Sequence, residues 1–135
     1  MKVYYHTIGK RKTSIARIYL KNENLKKKNK ILINNKTIDN FFLNNKYLKY
    51  RIYVPLLLTN NLQKNYYINI KVNGGGYKGQ LEAIILGLSR VLSKINKKNY
   101  LILKRYGLLT RDSRKVERKK FGRKKSRKKF QFSKR

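Results

Sequence analysis

The residues in this chain best placed to do chemistry are glycines. The stretch "VNGGGYKGQLEAIILGLSRVL" sets Gly74, Gly76 and Gly79 in a GxGxxG spacing, between a segment that alternates like a strand and one that repeats like a helix. Such a turn lets backbone amides face a phosphate at a helix N-terminus. In dinucleotide enzymes an acid about twenty residues further on holds the ribose. Residues 96–103 contain no Asp or Glu, and the next acid is Asp112. A phosphate-loop reading fails as well, because no Ser or Thr stands in the required place after Lys78. Two readings of the glycines stay open. Gly74, Gly75 and Gly76, with Lys71 and Lys78 beside them, can hold an RNA backbone phosphate, or they only make a tight strand-to-helix turn.

No other group forms a catalytic set. The acids Glu23, Asp39, Glu82, Asp112 and Glu117 are scattered, with no two placed as a general acid and base. Glu82, near a helix start, suits the helix dipole, and Asp112 and Glu117 are expected to organise neighbouring arginines. His6 is the single histidine, which excludes a multi-histidine metal site, and it reads as an ordinary strand side chain. The absence of cysteine removes disulfides, thiolate zinc sites and thiol nucleophiles, and fits a reducing compartment. The expectation is a protein that is not an enzyme and carries no cofactor or metal.

Charge points to a partner instead. Thirty-seven Lys and Arg stand against five Asp and Glu, a formal net charge of +32 in 135 residues. A chain so charged repels itself and calls for a polyanion. Nucleic acid is the first candidate and an acidic membrane surface the second. No apolar run approaches the ~20 residues of a membrane span, and "MKVYYHTIGKRKTS" has no signal-peptide core. It reads straight into folded structure, leaving no room for a transit peptide. The bias to Asn, Lys, Ile and Tyr suggests AT-rich codons, a mutational cause that warns against reading function into every lysine.

The elements that must position these residues follow from periodicity. "VYYHTI" and "SIARIYL" read as strands, the second with Ala16, Ile18 and Leu20 on one face and Ile15, Arg17 and Tyr19 on the other. Between them "GKRKT" reads as a basic turn opened by Gly9, offering Lys10, Arg11 and Lys12 to RNA. "KNENLKKKNK" reads as a basic loop before the short strand "ILIN". "KTIDNFFLNN" predicts a short helix capped by Thr37 or Asp39, with Phe41 and Phe42 entering the core. In "RIYVPLLL", Pro55 marks a break. "YYINIKVN" alternates Tyr67, Asn69 and Lys71 against Ile68, Ile70 and Val72, a half-buried strand.

Leu81, Ile84, Ile85, Leu88, Leu92 and Ile95 follow the i, i+3, i+4, i+7 rule over about four turns of helix. Gly87 interrupts this helix, which a close backbone contact with the sheet would justify. "NYLILKRYG" predicts a short helix closed by Gly107. The fold class is α+β, a small sheet packed with two main helices, in one globular domain over residues 1–108.

Residues 109–135 differ in kind, forming an extended basic tail. From Leu108 onward half of the residues are Lys or Arg, and the segment cannot bury enough apolar surface to offset its ordering entropy, so it should be disordered when free. Arg111, Arg114, Lys115, Arg118, Lys119 and Lys120 lead the run, and Arg123, Lys124, Lys125, Arg127, Lys128 and Lys129 continue it. Arginine adds bidentate phosphate contacts to the lysines. Tyr106, Phe121, Phe130 and Phe132 are interleaved with the charges, as suits stacking on bases.

The segments "GKRKTSIARIYL", "VNGGGYKGQLEAIILGLSRVL" and "GLLTRDSRKVERKKFGRKKSRKKFQFSKR", in that order, closely resemble the ninth protein of the small ribosomal subunit in its bacterial and organellar form. The resemblance runs nearly end to end. It implies a sandwich like the second domain of small-subunit ribosomal protein five, seated on rRNA in the head of the subunit beside neighbouring head proteins. It also implies a tail whose last residues, here Ser133, Lys134 and Arg135, approach the anticodon stem of the peptidyl-site tRNA. From Phe121 to Arg135 an extended chain reaches at most ~50 Å. The loop "KNENLKKKNK" departs from the family by being longer, more basic and free of glycine. The expected lack of a presequence, with the AT-rich residue bias, suggests an organellar ribosome, a plastid's first, then that of a mitochondrion or the cytoplasm of an AT-rich bacterium. Neither a membrane nor a homo-oligomer is expected. The competing classes, a DNA-condensing polycation and a nucleotide-dependent enzyme, are opposed by the patterned core and by the missing acid.

Overall fold

A computed structural model describes residues 4–22, 30–62 and 66–133. Glu23 and the rest of the basic loop through residue 29 lie outside the described residues, as do Lys134 and Arg135.

Strands β1 (Tyr4–Arg11) and β2 (Ser14–Asn22) form an antiparallel hairpin around Lys12 and Thr13. Strands β3 (Lys30–Ile33) and β4 (Lys36–Thr37) and helices α1 (Ile38–Phe41) and α2 (Lys46–Leu58) follow. Next come β5 (Tyr66–Asn73), helix α3 (Tyr77–Ile95) and helix α4 (Lys97–Arg105). The sheet order is β1-β2-β5-β3-β4, with β3 parallel to β5 and the other pairs antiparallel. This is the expected α+β class.

The period-two reading of β2 and β5 holds. Ala16, Ile18 and Leu20 are buried beside Ile68, Ile70 and Val72, and the register sets Ile18 opposite Ile70. Helix α3 covers this face with Leu81, Ile84, Ile85, Leu88 and Leu92, while Ile95 packs at the edge. Each such side chain contributes roughly 1.5–3 kcal/mol on burial, before entropy.

Gly9 does not open a turn. It lies inside β1 opposite Ala16, and the chain turns instead at Lys12 and Thr13. The reason is the close approach of α3. A Cβ on Gly9 would strike the Ala83 carbonyl, and one on Gly87 would stand 2.6 Å from Ile18 Cδ1. Two glycines thus let helix and strand meet backbone to backbone, the contact foreseen for Gly87. Thr7 Oγ1 seals it by donating to the Gly87 carbonyl at 2.8 Å.

Pro55 does not break the chain either. It sits within α2, where it cannot donate to the Arg51 carbonyl, a defect of about 3 kcal/mol in a helix interior. Ile52 and Leu56 are fully buried on either side of it, and burial of about 1.5–3 kcal/mol for each outweighs that cost. Helix α1 is capped by Thr37, whose oxygen accepts from Asn40 N at 3.4 Å, and Phe42 enters the core while Phe41 packs at its edge. Helix α4 closes as expected, with Gly107 N donating to Lys104 O and Leu108 N to Leu103 O, both at 3.0 Å. Leu108 and Leu109 still pack against the core.

Among the described residues, strand β1 has no neighbour on its outer side. Cations from α3 reach its outward carbonyls: Arg90 Nη1 donates to Ile8 O at 2.9 Å, and Lys94 Nζ stands 3.5 Å from His6 O.

Candidate nucleic-acid interface

The glycine turn after β5 has the conformation its composition requires. Gly74 and Gly75 take φ of +73° and +66°, the left-handed region that other residues enter at a cost. Gly76 is the N-cap of α3 and supplies no side-chain cap, so the first-turn amides point out unclaimed by any side chain. Gln80 fastens the turn from within the helix, donating to Gly74 O at 3.2 Å.

In front of this helix start lies an open cleft of about 860 Å³. The β1–β2 turn supplies Lys12, Thr13 and Ser14, and the start of α2 supplies Asn45, Tyr47, Leu48 and Arg51. Gly75, Gly76, Tyr77 and Lys78 close the third side. Asn45 sets the α2 wall by accepting from Tyr47 N at 3.1 Å and Leu48 N at 3.2 Å. Ser14 is 1% exposed, and its Oγ has no hydrogen-bond partner among the described residues. It lies where a Cβ on Gly75 or Gly79 would be. A buried polar group left unmade costs about 1–3 kcal/mol.

The cations nominated from sequence fall into separate groups. Lys12 and Lys78 line the cleft with Gly75 and Gly76. Lys71 does not. It stands on the exposed face of β5 opposite Arg17 and lines a different hollow with Ile15 and Asn73. Lys10 is exposed near the end of β1.

Arg11 points elsewhere. Its Nε meets Glu82 Oε2 at 2.5 Å, its Nη2 meets Asp112 Oδ2 at 2.9 Å, and its Nη1 donates to the Arg114 carbonyl at 2.9 Å. One guanidinium therefore ties α3 to the root of the tail, and Glu82 is an ion-pair partner as well as a residue near a helix start.

Asp112 and Glu117 organise arginines as expected. Asp112 accepts from Arg114 N at 3.0 Å and pairs with Arg114 Nη2 at 2.8 Å. These bonds, with Arg11 close by, hold its carboxyl below the ordinary carboxylate range. Glu117 pairs with Arg127 at 2.6 Å, which lowers its carboxyl in the same way. His6 stacks on Tyr19 with centroids 4.8 Å apart.

The tail has no regular secondary structure over residues 111–120, and turns follow at 121–127. Lys124 N donates to Lys128 O at 2.8 Å, and Arg123 Nη1 to Arg127 O at 2.9 Å. Lys115, Arg118, Lys119, Lys120, Lys125 and Lys129 are exposed, as is Ser133. Phe121 and Phe132 are fully exposed, and Lys124 sits over the ring of Phe130 at 5.8 Å.

Sequence reasoning missed Arg51 and Tyr47, because α2 has no clean apolar period. The available signal was Asn45, a good N-cap residue ahead of "KYLKYRI".

Known proteins resemble this chain over almost its whole length. The pattern of the ribosomal protein S9/S16 family matches residues 9–135. A small ribosomal subunit protein uS9 of Azobacteroides pseudotrichonymphae is 49% identical over 130 residues, covering 96% of this chain and 97% of the relative. The protein of the same name from Christiangramia forsetii is 48% identical over 130 residues, with the same coverage. That of Borreliella burgdorferi is 50% identical over 128 residues, covering 94% of this chain and 89% of the relative.

Proposed function

The chain belongs to the ribosomal protein S9/S16 family, and from that premise we propose how its two regions serve the ribosome. It is a structural, non-catalytic constituent of the small ribosomal subunit, with rRNA and ribosomal proteins as partners. No helix among the described residues is long and apolar enough to cross a membrane.

The globular domain seats on rRNA in the subunit head through Lys10, Lys12, Lys78 and the glycine turn, with Lys71 meeting a second stretch of backbone. Beyond the root that Arg11 holds at Asp112 and Arg114, the tail is disordered when free and orders as its lysines and arginines neutralise phosphates. Arg11 and Arg114, already paired with acids, meet rRNA only with charge left over from those pairs. Ser133, Lys134 and Arg135 reach the peptidyl-site tRNA. The observation that carries this is the tail itself, half Lys and Arg with Phe121 and Phe132 held out of the core.

Phosphate contacts position a nucleic acid without reading its sequence, which suits a site that accepts many tRNAs. The bias to Asn, Lys, Ile and Tyr is the ground for a plastid ribosome as the location, with a mitochondrial or bacterial ribosome as the alternatives.

Removing Lys134 and Arg135 tests the tRNA contact. Subunits should assemble normally yet release peptidyl-site tRNA faster, and unchanged retention would refute it. Sedimentation of native extract with and without RNase tests the placement, since the chain should leave the small-subunit fractions once RNA is digested.

A further inference from the structure

We infer that the cleft at the start of α3 is a single-nucleotide site, taking one phosphodiester on the helix N-terminus and the adjoining unpaired base against its apolar wall. The inference rests on the rRNA reading above and specifies what the globular domain grips.

Two independent features select the phosphate position. The first-turn amides of the 19-residue α3 have no side-chain cap, and a Cβ on Gly76 would meet nothing within 4 Å, so an anion can come up to the backbone. Beneath them is the Ser14 hydroxyl, buried and without a hydrogen-bond partner among the described residues. Ser14 lines the cleft, and its hydroxyl is the donor left for a phosphate oxygen. Lys12, Lys78 and Arg51 surround the opening. Glu82 also lines the cleft, but its carboxylate is already held by Arg11.

The rest of the cleft suits a base. Leu48 and Leu81 form an apolar wall, and Tyr47 and Tyr77 stand at its mouth, 66% and 55% exposed; Tyr77 also packs against Phe41 and Phe42, which leaves Tyr47 as the ring for stacking. At about 860 Å³ the cleft is large enough for one nucleotide. A duplex keeps its bases stacked inside, so the occupant is a nucleotide turned out of a loop or bulge. Asn45 on the α2 wall commits its Oδ1 to capping.

The test is photo-cross-linking in assembled small subunits, with p-benzoylphenylalanine replacing Tyr47 and, as the control, Tyr100 on α4. Position 47 should join one unpaired rRNA nucleotide, seen as a single reverse-transcription stop that position 100 does not give. Lys78→Ala should lower that yield by roughly tenfold, the loss expected of one charge-assisted hydrogen bond. Ser14→Ala should lower it less, and both variants should still sediment with the subunit. A chain that sediments with the subunit but cross-links from position 47 only to protein, or gives a yield that Lys78→Ala leaves unchanged, overturns the cleft assignment alone. A chain absent from subunits overturns the ribosomal reading and this inference with it.

Discussion

The α3 face and the tail differ in what decides each residue. On α3, Leu88 and Leu92 are fully buried and Gly87 is fixed by the strand beneath it. In the tail, Val116 is 92% exposed and Phe121 is fully exposed, so packing within the chain explains neither. Apolar residues in the first region build the chain's own core, and in the second they stay outside it.

That contrast can be broken most forcefully at the glycines. Gly9→Val drives a side chain into the Ala83 carbonyl and should cost about 3 kcal/mol or more, at the upper end of overpacking penalties. Gly122→Val in the tail should leave the urea midpoint unmoved. Next, Leu88→Ala should destabilise by about 2–5 kcal/mol. Phe121→Ala should not change stability but should weaken rRNA binding by about 1–3 kcal/mol if a base stacks there.

A smaller effect separates the regions by salt. Removing residues 115–135 should preserve the urea midpoint while flattening the decline of rRNA affinity with salt, since fewer counterions are released.

The smallest effect is at the tail root. Hydrogen bonds from Arg114, with Arg11 close by, lower the Asp112 carboxyl, so the stabilisation it gives is present above its unfolded pKa of about 4 and is lost as pH falls through the lower folded value. NMR of the Arg114 side-chain N–H signals should therefore show the pairing intact from neutral pH to about 4, with loss only in stronger acid. Asp112→Asn should remove that transition.

Much of this architecture was legible because alternation and helical period report burial directly, as at Ile68, Ile70 and Val72 or along Leu81 to Leu92. The errors came where a local rule met a tertiary demand. Gly9 looks like a turn residue because its real constraint, the Ala83 carbonyl, is remote in sequence. Pro55 looks like a break because the burial of Ile52 and Leu56 cannot be seen from the chain alone. The cleft was half legible. Its glycines and Lys78 admit an anion site or a plain turn, while Ser14, Tyr47 and Arg51 arrive from two other elements. Arg11 was the subtlest case, since a basic run does not reveal which member will pair with an acid 71 residues away.

The outer side of β1 has a consequence for the chain before it finds RNA. Exposed strand edges invite copies of a protein to add on, strand by strand. Arg90 and Lys94 lie across the carbonyls of Ile8 and His6, so a second copy would have to displace two cations while bringing up its own charge of +32. The residue type that calls for a polyanion is thus also the one laid across the open edge of the sheet.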